Sequence, residues 1–326
     1  MHKFILVFIL IFSISCKEKL DFNVISGTAF GTGMHIKIKD TSNHNWKKSI
    51  DSLVNSVNQS LSTYWKNSII SKINQGDSTV VVDDKYKEVF NKAKRIYKET
   101  NGVFDPTIGV LVNAWNFGPE KEIKNLDSVT IKKLMQQVGF DKVSIKNNLV
   151  IKEHPKTYID FNAIAKGYGI DIIGRFIEQK GITDYMVEIG GEVRAKGKNQ
   201  TGKFWRIGIE NPNFDGTQSY GKIISLQNES IATSGTYRKF KIDENGNRYA
   251  HIISTKTGYP SKSNVLSASV IANLDCADVD GYATAFIAFG LENCKAFLKK
   301  HPELKAFIIY VDKNGKLQTF QTKNLD

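Results

Sequence analysis

One stretch limits the possible folds of this chain more than any other. It runs from Tyr158 to Gly181: Tyr-Ile-Asp-Phe-Asn-Ala-Ile-Ala-Lys-Gly-Tyr-Gly-Ile-Asp, then Ile-Ile-Gly-Arg-Phe-Ile-Glu-Gln-Lys-Gly. Its first part reads as a short buried strand. Its second part reads as a helix, with Ile164, Tyr168, Ile172 and Phe176 recurring at four-residue spacing on one face. Asn162 is the expected N-cap and Gly181 the expected stop. Lys166 then falls in the first turn, where the helix dipole disfavours a cation by about 0.3–1 kcal/mol at an exposed site. Free backbone N–H groups at a helix start favour an anion. A lysine added to them, beside small Ala163, Ala165 and Gly167, suggests a phosphate-bearing ligand. On this stretch alone, an exposed lysine on an ordinary helix is the simpler reading.

The chain's 326 residues suffice for one large domain or two modest ones. Its net charge of +12 comes from Lys and Arg scattered along the sequence, which suits an anionic ligand or an anionic membrane surface. No RNP-like motif, zinc-finger spacing or long basic arm accompanies the charge, so no nucleic-acid partner is expected. At the N-terminus, Lys3 precedes an apolar run from Phe4 to Ile14, broken only by Ser13 and too short to span a bilayer. Ser13-Ile14-Ser15-Cys16 then resembles a bacterial lipobox, in which the cysteine is lipidated and becomes the mature N-terminus. Ser13 stands where Leu is usual, and a plain secretory signal cleaved further on is the alternative. The expected organisation is a signal peptide over residues 1–15, a tether over 16–23 and one domain over 24–326. The protein would be lipid-anchored at Cys16 in the bacterial cell envelope, with its domain outside the cytoplasm and facing the periplasm. Lys17 follows the cysteine and no inner-membrane retention Asp is present, which leaves the choice of membrane open. Cys276 and Cys294 are expected to be two small buried thiols. No Cys/His arrangement has zinc-ligand spacing.

Along the chain, Val24 to Lys39 reads as strand and carries Gly27-Thr28-Ala29-Phe30-Gly31-Thr32-Gly33. These glycines do not fit a dinucleotide fingerprint; they allow close approach of a flat ligand or mark a bulge. Trp46, Ile50, Leu53, Val57, Leu61 and Tyr64 define an amphipathic helix, which ends near the adjacent aromatics Tyr64 and Trp65. A second helix is expected over Asp83 to Thr100. Asp105-Pro106 is good helix-start chemistry, a cap followed by an N1 proline. Ser128 to Val138 reads as a short helix, and Val143 to Ile151 as a hairpin through Asn147-Asn148. Tyr185 to Lys196 reads as a strand broken by Gly190-Gly191. Phe204–Glu210 and Lys222–Leu226 are further strands, and a later hairpin turns at Asn245-Gly246. His251 precedes a loop rich in hydroxyls and glycine. Val265 to Ala272 is strand. The following helix sets Asp280 and Thr284 four apart on one face, hard oxygen donors that suit Mg²⁺ together with phosphate oxygens. On spacing alone, acidic residues favoured at a helix start explain the Asp equally well. Helices and strands mix without a βαβ rhythm. The expected class is α+β: mixed sheets with packed helices, in one two-lobed unit holding its ligand in the cleft.

Five segments occur in a telling order: Phe104-Asp105-Pro106-Thr107, Asp160 to Gly167, Gly190-Gly191-Glu192, His251-Ile252 with Thr257-Gly258-Tyr259-Pro260, and Asp280 with Thr284. Together they resemble the ApbE family of FAD:protein FMN transferases, over about Gly27 to Gly290. The resemblance implies transfer of the FMN half of FAD to a Thr or Ser hydroxyl of an acceptor protein, with release of AMP and support from Mg²⁺. It implies that Ala163 binds metal through its carbonyl, and Asp280 and Thr284 through their side chains. Asp160 and Lys166 would hold FAD, with Lys166 near the pyrophosphate, and Phe104, Asp105 and Ile253 would contact the flavin nucleotide. Phe30 stands where many members have Met against the ligand, and Tyr64 or Trp65 matches the ring-stacking position. His251 is the candidate general base. The implied partner is an acceptor flavoprotein of a membrane respiratory or redox complex. Three departures stand out: Ser254-Thr255 where Asp-Pro is frequent, Phe161-Asn162 where Leu-Gly is frequent, and Glu192 where Asp is usual. A metal-dependent FAD pyrophosphatase, giving FMN and AMP, would use the same pocket. A flavin-binding lipoprotein without turnover is the non-enzymatic alternative.

Overall fold

The stretch from Val24 to Lys39 is a hairpin rather than one strand. Strand β1 (Phe22–Ala29) pairs antiparallel with β2 (Thr32–Lys39) through the loop Phe30-Gly31. Both loop residues have positive φ, 51° and 78°. That is the pattern of a type I′ turn, whose twist matches the flanking strands. Apolar alternation runs on through the turn, so the sequence hides the reversal. The computed structural model describes residues 22–124, 126–213, 217, 219–236, 240–242 and 248–325. The signal, Cys16 and the Asn245-Gly246 turn lie outside these residues.

Helices α1 (Trp46–Leu61), α2 (Ile69–Asn74) and α3 (Asp84–Glu99) follow the first hairpin. Asp83 caps α3 by accepting from the Tyr86 amide at 2.8 Å. A 3₁₀ turn over Pro106–Ile108 leads into α4 (Gly109–Ala114), and α5 (Ser128–Met135) comes next. The hairpin β3 (Val143–Lys146) and β4 (Leu149–Lys152) turns at Asn147-Asn148 as expected, both with positive φ. After α6 (Asn162–Gln179) come β5 (Tyr185–Ile189), β6 (Glu192–Lys196), β7 (Trp205–Glu210), β8 (Tyr220–Leu226) and β9 (Glu229–Gly235). The short strands β10 (Phe240–Ile242) and β11 (Arg248–Ala250) precede β12 (Val265–Ala272), α7 (Cys276–Phe289), α8 (Leu291–Lys300), β13 (Lys305–Val311) and β14 (Leu317–Gln321).

Among the described residues, eight strands form one antiparallel sheet in the order β1-β2-β5-β6-β9-β12-β13-β14. The period of two along each strand sorts its side chains into two cores. Val187, Ala232, Val270 and Ile308 face the layer formed by α6 and α7. Met186, Ile231, Ile271 and Phe307 face the other way and are covered by Trp205, Ile209 and Leu226 of the β7–β8 ribbon. A third, smaller core of Leu111, Ile131, Val138 and Ile253 forms the second lobe. The class is α+β, as expected.

The opening stretch folds differently from its reading in two respects. Tyr158 to Phe161 joins no ladder. Its backbone is instead claimed by the Asn74 side chain, which bonds both the N–H and the C=O of Ile159 at 2.8 Å, and by the Pro106 carbonyl, which accepts from Asp160. Asn162 is the first helical residue, not the cap. The cap position is Phe161, and Asp160 Oδ1 accepts from the Asn162 N–H at 2.7 Å. Helix α6 is buried on most sides (Ile164, Ile170, Ile173 and Ile177 are inaccessible), because it lies between the sheet and helices α1 and α3. It stops at the expected place, with Gly181 at φ 79°. Tyr64, expected on the last turn of α1, lies beyond it in the α1–α2 loop with Trp65.

The small size of Gly167 serves helix packing rather than ligand approach. A Cβ there would stand 2.5 Å from the Cys276 carbonyl oxygen, where α6 crosses the start of α7. Gly167→Ala is therefore expected to destabilise the fold by about 1–3 kcal/mol through overpacking, read as a lower urea midpoint. An unchanged midpoint would show that the two helices can separate freely. Cys276 and Cys294 are both buried and unpaired, as expected.

Candidate functional site

The turns Phe30-Gly31 and Gly190-Gly191 lie at the same end of the sheet, beside the start of α6 and the second and third turns of α7. They border a cleft of about 930 Å³, a size that suits a small-molecule ligand. All the candidate residues within the described chain line it. They comprise Phe30, Tyr64, Trp65 and Phe104; Asp105, Asp160 and Lys166; Ala163, Asp280 and Thr284; and His251 and Ile253. Cys16 lies outside the described residues.

Asp280 is 4% exposed, and its Oδ2 accepts from the Gly167 amide at 3.1 Å. In a regular helix that amide faces the Ala163 carbonyl, so carbonyl and carboxylate approach the same N–H. One turn after Asp280, Thr284 Oγ1 lies 3.1 Å from Ser234 Oγ of β9. Burial, and then the Glu192 charge, push the Asp280 carboxyl well above the usual carboxylate range, against the pull of Lys166. A cation beside it would relieve both penalties. Carboxylate, hydroxyl and carbonyl are the hard oxygens that Mg²⁺ takes, with ligand or water oxygens completing the shell. Among the described residues no group of three His, Cys, Asp or Glu is placed to hold a metal, so the donor set on offer is this oxygen one.

Lys166 Nζ pairs with Glu192 Oε2 at 2.5 Å. The Gly190-Gly191 turn, with φ of 64° and 102°, makes this possible by bringing the first residue of β6 under the first turns of α6. A side chain at Gly190 would crowd both Thr32 and the lysine. Burial pulls the ammonium pKa down, but Glu192 and Asp280 outweigh it, and Lys166 stays charged. Among the described residues lining the cleft, this one lysine stands with four carboxylates, Asp105, Asp160, Glu192 and Asp280.

The aromatic residues divide by exposure. Tyr64 and Trp65 are 60% and 43% exposed at the mouth, while Phe104 is buried in the wall. The Phe30 ring lies against Gly169, where a Cβ would stand 2.3 Å from it. Burial, and then the Asp160 charge, raise the Tyr64 hydroxyl pKa. Asp105 accepts from the Thr107 amide (2.8 Å) and hydroxyl (2.6 Å) through Oδ1, and from the Phe140 amide (3.3 Å) through Oδ2. The expected cap chemistry is therefore present, and it occupies both oxygens. His251 follows β11 and meets the Phe117 ring edge at 6.3 Å between centroids.

Two features escaped the sequence reading. One is the Lys166–Glu192 pair. The other is a charge cluster behind it. Asp171, wholly buried on α6, accepts from the Cys276 and Ala277 amides at 2.8 and 2.9 Å and so caps α7 from another helix. Arg194 of β6 bridges Asp171 and Asp275, each at 2.8 Å. The available signal was an aspartate within the apolar run Gly-Ile-Asp-Ile-Ile-Gly. Asp275 also pairs with Lys92 (2.9 Å) and Arg175 (2.7 Å). Burial raises its pKa, but Lys92, Arg175 and Arg194 more than reverse this and hold the carboxyl far below its usual range. A depressed folded pKa stabilises above the unfolded value, near 4, and that stability is lost as pH falls below it. Asp275→Asn is expected to cost roughly 3 kcal/mol at pH 7. Its deficit in urea midpoint should shrink as the pH is lowered below about 4; a deficit independent of pH would refute the charge argument.

Residues 30–308 match the sequence model of the ApbE family. The FAD:protein FMN transferase of Haemophilus influenzae is 34% identical over 316 residues, covering 92% of this chain and 90% of that protein. The protein of the same name from Vibrio cholerae is 36% identical over 288 residues, covering 85% and 84%. The solved structure of flavin transferase ApbE from Vibrio cholerae superposes with a TM-score of 0.84 at 33% identity, covering 94% of this chain and 98% of that one. The match runs from the Phe30 turn through the Asp280–Thr284 helix and takes in the whole cleft. With the family's sequence model, relatives above 30% identity along most of the chain, and the same fold, this chain belongs to the ApbE family.

Proposed function

We propose that this protein is a Mg²⁺-dependent FAD:protein FMN transferase. It moves FMN from FAD to a Thr or Ser hydroxyl of an acceptor protein and releases AMP. The activity is that named for its relatives. The observation that carries the Mg²⁺ requirement is the carboxylate set of the cleft, where, among the described residues, one lysine stands with four carboxylates. A diphosphate enters such a site only if cations enter with it.

Asp280, Thr284 and the Ala163 carbonyl would hold the ion, which when bound neutralises diphosphate charge and polarises the phosphoryl group under attack. Lys166 lies close enough to this set to exchange part of its Glu192 contact for phosphate oxygens and to stabilise the charge that gathers on departing AMP. Phe30, Phe104 and Ile253 offer apolar walls to the flavin, with Tyr64 and Trp65 at the mouth to stack on its ring. In the reaction the acceptor oxygen bonds to the FMN phosphorus and the bridging P–O bond to AMP breaks. His251 is assigned to take the hydroxyl proton, a task suited to an imidazole. The partner is an acceptor flavoprotein of a membrane respiratory or redox complex. Lipidation of Cys16 would hold both on the same face of the membrane, outside the cytoplasm.

The test combines the protein with FAD, Mg²⁺ and an acceptor fragment bearing a flavinylation-type threonine. An FMN-sized mass on the fragment, matched by AMP, is the expected result. AMP with equal free FMN and an unmodified acceptor would turn the reading to FAD pyrophosphatase. Bound FAD with no AMP would turn it to a flavin-binding protein.

A further inference from the structure

Helix α7 carries two of the three oxygens assigned to the cation, and its first amides are not capped by the side chain of Asp275 at its own cap position. The amides of Cys276 and Ala277 are satisfied instead by Asp171 of α6. Asp171 is in turn gripped by Arg194 Nη1, which also holds Asp275. Arg194 stands two residues after Glu192 on β6, so both side chains lie on the same face of the sheet. Among the described residues, four ion pairs link β6 to α6: Glu192–Lys166 inside the cleft, and Arg194–Asp171, Arg194–Glu178 and Lys196–Glu178 behind it. Of the β6 cations in these pairs, Arg194 also reaches the start of α7, through Asp275. Between them, at Gly167, the two helices touch through backbone, and the Gly167 amide donates to Asp280.

We infer that Asp171 and Arg194 are positioning residues for the cation. By clamping the first turn of α7 to α6, they fix the spacing between the Ala163 carbonyl on one helix and Asp280 and Thr284 on the other. The inference rests on the proposed cation site. It adds that the site's affinity is set by a pair that touches neither ion nor flavin. A cation shell tolerates little change in oxygen spacing, and Mg²⁺ demands near-octahedral geometry. Loosening the clamp should therefore weaken cation binding before it weakens flavin binding.

The test uses Mn²⁺ as a paramagnetic probe, counted on the purified protein by loss of the free-ion resonance. Flavin binding is read separately from quenching of FMN fluorescence at saturating Mg²⁺. Asp171→Asn keeps the side chain's shape and one acceptor while removing the charge that holds Arg194. It is expected to weaken Mn²⁺ binding by about 10–100-fold, the range for residues that support ligands from behind, and to leave FMN affinity unchanged. Arg194→Lys keeps a cation but cannot bridge two carboxylates as a guanidinium does. It should shift Mn²⁺ affinity in the same direction and serves if the first variant fails to fold. Unchanged Mn²⁺ affinity in a folded variant would overturn the inference. Parallel loss of Mn²⁺ and FMN affinity would also overturn it, because the pair would then be a general support. A wild-type protein that binds no Mn²⁺ would overturn the cation site itself, and this inference with it.

Discussion

Asp280→Ala is expected to lower AMP release from FAD by on the order of 10³-fold or more, and no Mg²⁺ concentration should restore it. Of the three oxygens assigned to the ion, only Asp280 bears a charge. Its loss removes the main electrostatic term while leaving Glu192 and Asp160 to repel the diphosphate. Asp280→Asn keeps the size of the residue and an acceptor for the Gly167 amide. It should lose activity almost as fully. It should not unfold earlier than wild type without Mg²⁺, because burial and Glu192 already disfavour the native charge. The two variants thus separate loss of the ion from loss of the fold. Wild-type turnover in either would sink the metal assignment.

The second large effect belongs to Lys166. Lys166→Ala should weaken FAD binding roughly ten- to a hundred-fold, the worth of one charge-assisted bond to phosphate. It should also destabilise the protein by about 3 kcal/mol, because Glu192 is left buried without its partner. Adding Glu192→Gln removes the stranded charge. The double variant should recover most of the stability and little of the affinity. Denaturant midpoints and flavin titrations on the single variant, the double variant and the wild type decide the matter. If stability and affinity recover together, the lysine acts through the fold and not on the ligand.

The parts that sequence revealed are those decided locally. Helix α3 declares itself through Tyr86, Phe90 and Ala93 on one face and a capping Asp83. Asn147-Asn148 states its own turn, and Asp105-Pro106 its own helix start. The candidate site residues lie near turns and helix starts, and the fold gathers these around one cleft. The parts that escaped depend on distant partners. Nothing near Lys166 names Glu192, twenty-six residues on, as its counter-ion. Nothing around Asp171 shows that it caps a helix beginning at Cys276. The smallness of Gly167 suggested a ligand because a ligand and a second helix make the same steric demand. Only the packing of α7 tells them apart. Gly190-Gly191 and Phe30-Gly31 interrupt apolar alternation without stopping it, so two hairpins read as two strands.

The first hairpin also sets a height. Strand β1 begins at Phe22 and ends beside Phe30, which lines the cleft. Eight residues at about 3.3 Å each separate the two ends by roughly 25 Å. A lipid on Cys16 would be joined to Phe22 by a leash of at most about 20 Å. With the strand standing upright on that leash, the cleft would lie at the end away from the bilayer, facing an acceptor threonine carried on a domain some tens of ångströms clear of the membrane.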